Sequence, residues 1–183
     1  MADNRVEGLA TQGVSKDLAR IYVKSARISS IGIGAYIRSG DTVDWQGGMY
    51  ALQRQAQMRV WPGGLTALAI QGFAHYLPMG TETVWLFGAP GERLPKWFRC
   101  HDWGQIVEFL APNLFSPTSL DVSAAKFGNF SIEVSSPERA VFELLYQVPQ
   151  TYSFTFAYKG LGRTIGSFSR YSKLDWDHSG FGH

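Results

Sequence analysis

The chain has 183 residues, 45% of them hydrophobic and 14% aromatic, enough for a real core in one large domain or two small ones. Its single cysteine, Cys100, excludes an internal disulfide and a zinc site built from several cysteines, while the lack of a leader-like start or a long apolar run argues against secretion or a membrane span. Net charge is +2, but residues 1–40 hold six Lys/Arg against three Asp/Glu, residues 41–150 seven against ten, and residues 151–183 four against two. A basic end on an acidic body suits a nucleic-acid contact, although plain solvated surface charge gives the same pattern.

Gly13-Val14-Ser15 reads as a turn and an N-cap, with Ser15 accepting from the first free N–H groups of a helix. Leu18, Ile21 and Tyr22 then share one apolar face, and Lys16, Arg20 and Lys24 line a basic stripe at i, i+4 and i+8. Such a helix suits the major groove. Ile31, Ile33, Ala35 and Ile37 alternate with Gly32, Gly34, Tyr36 and Arg38, and this period of two predicts a tight glycine-bearing hairpin. Helix followed by hairpin is the order of a winged helix-turn-helix, with its wing tip near Ser29 to Gly34. The usual first helix of such a module is not readable.

Ser39-Gly40-Asp41 reads as a boundary. Asp44 is expected to cap a helix whose face carries Trp45, Met49, Leu52 and Ala56. Trp61-Pro62-Gly63-Gly64 reads as a break, and Leu65 to Gln71 as a second helix stopped by Gly72. Strands are predicted over Thr83 to Phe87 and Ile106 to Leu110, and a hairpin turns at Gly128-Asn129 between Lys126-Phe127 and Phe130 to Val134. Ser136 caps a final helix with Pro137 at its first position and Val141, Leu144, Leu145 and Val148 as its apolar stripe. Residues 151–183 show no helical apolar stripe, and the chain has no internal repeat.

Four blocks in this order resemble a known family. They are the run from Asp44 to Gln53, Pro62-Gly63-Gly64-Leu65-Thr66-Ala67-Leu68, Gln71-Gly72-Phe73-Ala74-His75-Tyr76-Leu77-Pro78, and Ser135-Ser136-Pro137-Glu138-Arg139-Ala140. With Gly13, Tyr22, Ser25 and the Gly32/Gly34/Tyr36 wing, they are similar to the AbiEi-like antitoxins and transcriptional regulators, from about Gly13 to Val148. The resemblance implies a cytoplasmic antitoxin of a type IV toxin–antitoxin pair. Such a protein binds repeats in its own promoter and counters a nucleotidyltransferase-like toxin, and some of these systems limit phage. The family's longer helical C-terminus is not readable in residues 158–183, so a divergent, truncated or frame-altered ending is expected there.

The fold expected is α+β: a partial winged helix-turn-helix over residues 1–40, a domain of helices and mostly antiparallel strands over residues 41–150, and a divergent tail over residues 151–183. Ser15, Lys16, Arg20, Lys24, Arg27 and Arg38 are the candidate DNA contacts, with double-stranded promoter DNA as partner and the toxin as a second one. The other reading is a protein-interaction module whose DNA-binding region is vestigial. No enzyme, cofactor, metal or membrane is expected. Cys100-His101-Asp102 places reactive types side by side, but neighbouring side chains diverge and seldom meet at one reacting atom. His75 and Tyr76 read as structural, Gly63-Gly64 lacks the pattern of a phosphate loop, and Asp175, Asp177, His178 and His183 have no metal-site spacing.

Overall fold

The structure, a computed structural model, describes residues 21–73, 83–115 and 121–158. Residues 21–24 are helical and stop in a left-handed reversal at Ala26, whose φ is 53°. The Ala26 N–H donates to the Val23 carbonyl at 3.0 Å and the Arg27 N–H to the Tyr22 carbonyl at 3.0 Å. These nested bonds occupy carbonyls that a helix end leaves without partners. The chain then enters strands β1 (Ile28–Gly32) and β2 (Ala35–Arg38), an antiparallel hairpin in the register Ile28 to Arg38. Alternation places Ile33 on the inner face with Ala35; instead Ile33 sits in the turn between the strands and is 90% exposed. An irregularity between Ser30 and Gly32 breaks the register just before it.

Helix α1 (Trp45–Tyr50) starts at Asp44, which accepts the Gly47 N–H at 2.8 Å. It widens into a π-helical stretch over Ala51–Gln55. Trp45, Met49 and Leu52 are buried, but Ala56 is exposed. A π turn holds more than 3.6 residues, so the four-residue step from Leu52 no longer returns to the core face. Strand β3 (Val60–Pro62) replaces the expected break at Trp61-Pro62. Pro62 is tolerated because β3 is an edge strand of its sheet, where a missing N–H costs least.

Helix α2 (Gly64–Ile70) follows, with Gln71 as its C-cap and Gly72 at φ 80° beyond it. Strand β4 (Thr83–Gly88) pairs antiparallel with β3 and parallel with β5 (Ile106–Leu110). Three of the four described strand pairs are antiparallel, in keeping with the expectation of mostly antiparallel strands, and β4–β5 is the parallel one. It needs a crossover, which residues 89–105 supply with a short helix, α3 (Lys96–Cys100), that periodicity did not reveal. Strands β6 (Val122–Phe127) and β7 (Phe130–Ser135) form the expected hairpin around Gly128-Asn129. Helix α4 (Pro137–Tyr146) is capped by Ser136, which accepts the Arg139 N–H at 3.3 Å. Residues 154–158 form a further helical turn, starting where Ser153-Phe154 resembles the beginning of the family's helical continuation. The architecture is α+β.

The main core joins Trp45, Met49 and Leu52 to Val60, Leu86 and Phe98 of neighbouring elements, and to Phe130, Ile132 and Val134 of β7. A second cluster packs Leu65, Ala67 and Leu68 of α2 on Ala140 and Leu144 of α4. The hairpin β1–β2 is seated on this body: Ala35 packs with Ala51, and Ile31, Ile37, Val43 and Trp97 close around them.

The buried face of α4 differs from the expected stripe. Leu144 is buried and Val141 packs beside it, yet Leu145 is 42% exposed, while Arg139 and Glu143 lie inside. The helix is rotated so that a polar pair faces inward. Glu143 Oε1 accepts the Trp61 indole N–H at 3.2 Å and Arg139 Nε–H at 2.8 Å. Its Oε2 accepts the Gly64 N–H at 3.0 Å and the Ser135 hydroxyl at 2.7 Å. The Arg139 guanidinium lies 4.4 Å from the ring centroids of both Trp61 and Phe115. Gly63 makes this approach possible, because a Cβ there would overlap Glu143 Oε2 and the Phe87 ring.

Candidate DNA-binding surface

Of the six candidate contacts, Ser15, Lys16 and Arg20 lie outside the described residues. Lys24, Arg27 and Arg38 are described, and all three are exposed. Lys24 is the last residue of the helical turn, and the reversal at Ala26 brings the chain directly to Arg27. Arg27 is opposite Ser39, whose N–H donates to the Arg27 carbonyl at 3.1 Å, so Arg27 and Arg38 both stand at the open end of the hairpin. The structure therefore gathers three cations that are up to fourteen positions apart in sequence at one helix–hairpin junction. From Leu18 to Gly40 the chain carries four Lys/Arg and no Asp/Glu. Clustered cations of this kind suit phosphates, and Asp41, whose N–H donates to the Arg38 carbonyl at 3.1 Å, bounds the stretch on its C-terminal side.

The reactive-looking triplet disperses. Cys100 is exposed at the end of α3, and the His101 ring packs edge-on against Trp103 at 4.4 Å between centroids. Asp102 Oδ1 accepts the Gly104 N–H at 2.9 Å. Glu143, the residue that sequence reasoning missed, is filled rather than poised: its two oxygens receive four donors, which uses the acceptor capacity of a carboxylate. The only trace of it in the sequence is the Arg139/Glu143 spacing of i, i+4, which is usually a surface pair. Gln53 is a second buried polar link that was not foreseen. Its amide nitrogen donates to the Val60 and Glu133 carbonyls, both at 2.8 Å, and its oxygen accepts the Glu133 N–H at 2.7 Å.

Among the described residues no group of three or more His, Cys, Asp or Glu could hold a metal ion, and no helix is long and apolar enough to cross a membrane. A cleft of about 430 Å³ beside β5 has Leu94, Phe98, Val107 and Phe109 in its wall and Arg99 and Glu108 at its rim.

Comparison with known families separates the chain into two matched segments. Residues 5–79 match the family described as the transcriptional regulator AbiEi antitoxin N-terminal domain. Residues 81–161 match the one described as the transcriptional regulator AbiEi antitoxin of type IV toxin–antitoxin systems. No curated protein matches the chain. Together the two matches extend beyond Gly13 and Val148 at either end. The Gly63-Gly64 block and the Ser135 to Ala140 block come from different matched segments, and Glu143 ties them together through Gly64 and Ser135. The chain belongs to the AbiEi antitoxins of type IV toxin–antitoxin systems, a family of transcriptional regulators.

Proposed function

We propose that this antitoxin binds double-stranded DNA of its own promoter through Ser15, Lys16, Arg20, Lys24, Arg27 and Arg38. In this reading residues 1–40 are the DNA-contacting module, residues 41–150 the antitoxin domain and residues 151–183 a divergent extension. The protein acts in the cytoplasm without catalysis of its own, and counters a nucleotidyltransferase-like toxin, with phage defence as one outcome. The observation that carries the DNA reading is the exposed grouping of Lys24, Arg27 and Arg38 on a stretch free of carboxylates.

A salt series of mobility shifts with the gene's own upstream DNA tests this. Each phosphate contact releases counterions, so log Kobs falls against log salt with a slope of about −0.9 per contact. Removing Lys24, Arg27 and Arg38 together should weaken binding and flatten that slope by roughly 2–3. Unchanged affinity and slope would count against the surface.

A second reading has its own observation. Phe142, Leu145 and Tyr146, at i, i+3 and i+4 on the outer face of α4, are 59%, 42% and 47% exposed. A stripe of this kind suits a protein partner. If wild-type protein leaves upstream DNA unshifted at low salt, the chain is better read as a protein-interaction module with a vestigial DNA-binding region.

A further inference from the structure

We infer that Ile33 is an apolar wedge which the hairpin carries into the minor groove of bound DNA. This rests on the DNA-binding reading and adds a contact that positive charge cannot make.

Ile33 is 90% exposed, more than any other large hydrophobic side chain among the described residues. It occupies, with Gly34, the two-residue turn between β1 and β2. Turns of this length favour Asn, Asp and Gly, which serve the backbone; a β-branched apolar side chain does not. None of the core clusters of the described residues includes Ile33, so packing among them gives no reason for an isoleucine there. Its neighbours in the alternating pattern behave differently: Ile31, Ala35 and Ile37 pack against the body of the protein.

The tip is also held firmly. The Gly32 N–H donates to Ser30 Oγ at 3.3 Å, and Ser30 Oγ donates back to the Gly32 carbonyl at 3.0 Å. The backbone of Gly32 presses on Trp97 of α3, where a Cβ would collide. Gly34, at φ 85°, takes the left-handed position that closes the turn. A braced hairpin thus displays one isoleucine at its end and two arginines at its base.

Proteins that bind the minor groove frequently insert an apolar side chain, isoleucine among them, between base steps, which unstacks them and kinks the duplex. Arg27 and Arg38 are placed to hold phosphates on the flank of such a site. The cost of unstacking is lowest at pyrimidine–purine steps, so the wedge should favour those over stiff A-tracts.

The full-length protein and its upstream DNA provide the test, with Ile33→Asn and Ile33→Leu measured for affinity, salt slope and DNA bending by end-to-end energy transfer. Ile33→Asn should lower affinity by about tenfold, remove most of the bend and leave the salt slope unchanged, because no phosphate contact is lost. Ile33→Leu should retain both affinity and bend. Wild-type affinity and bending in Ile33→Asn, with weakened Lys24, Arg27 and Arg38 variants, would overturn the wedge while leaving the DNA reading intact. A weaker Ile33→Asn complex with an unaltered bend would also overturn it, by making Ile33 an ordinary surface contact. Absence of DNA binding by the wild-type protein would end both.

Discussion

Arg139 donates from Nε to Glu143 Oε1 at 2.8 Å across one turn of α4, with both side chains buried. On a solvated helix such a pair is worth a few tenths of a kcal/mol. Here the carboxylate also receives the Trp61 indole, the Gly64 amide and the Ser135 hydroxyl, so it joins β3, α2, β7 and α4 at one point. Removing one member leaves a buried charge without its partner. Glu143→Ala should therefore cost about 3–5 kcal/mol, lowering Tm by roughly 10 °C. Thermal unfolding followed by circular dichroism checks this, and a loss of only a degree or two would mean that the pair is dispensable.

This centre shows what the sequence conceals. Ser136 and Pro137 announce the start of α4, and the start is where they place it. The stripe Val141, Leu144, Leu145 and Val148 is a fair helical pattern, but periodicity counts only apolar residues. It cannot register that Arg139 and Glu143 satisfy each other and turn inward, leaving Leu145 in water. The same limit explains Ile33, where alternation persists across a turn and cannot mark where the strands end. Trp61-Pro62 misleads for another reason: proline reads as a breaker until the strand is known to be an edge. Lys24, Arg27 and Arg38 were readable as basic residues, but their grouping depends on the Ala26 reversal, which nothing in the local composition announces.

Gly63 should tolerate no side chain. A Cβ would meet Glu143 Oε2 and the Phe87 ring, both buried and fixed by other contacts. Gly63→Ala is expected to destabilise the fold by about 1–3 kcal/mol through overpacking. The effect should be smaller in a Glu143→Ala background, where one of the two colliding groups is gone. A double-mutant cycle by urea unfolding measures that coupling, and strict additivity would show that the clash with Glu143 is absent.

Ala26 should behave in the opposite way. It holds φ 53° at the helix stop, a conformation that costs an L-residue about 1–2 kcal/mol and glycine little. Ala26→Gly is expected to stabilise the protein by up to about 1 kcal/mol after glycine's greater unfolded-state entropy is subtracted. Since Lys24 and Arg27 flank the same reversal, DNA affinity should be maintained. A destabilised Ala26→Gly variant would show that the reversal is not strained.

Tyr152 gives the molecule a predictable alkaline response. Burial pushes its phenol above the ordinary value of 10.0, and the Trp85 side chain, whose ring meets the Tyr152 ring edge-on, acts in the other direction without cancelling the rise. The folded state therefore keeps this proton at a pH where the unfolded chain has lost it. The resulting stabilisation is fully present below pH 10 and is lost as pH rises through the higher folded value. Tyr152→Phe has no proton to lose but retains the ring that stacks on Phe156 at 4.9 Å between centroids. The stability difference between wild type and this variant, measured by urea unfolding from about pH 8 to about pH 11, should stay constant at first and then move against the wild type. A difference that remains flat throughout would place the Tyr152 hydroxyl in a solvated setting.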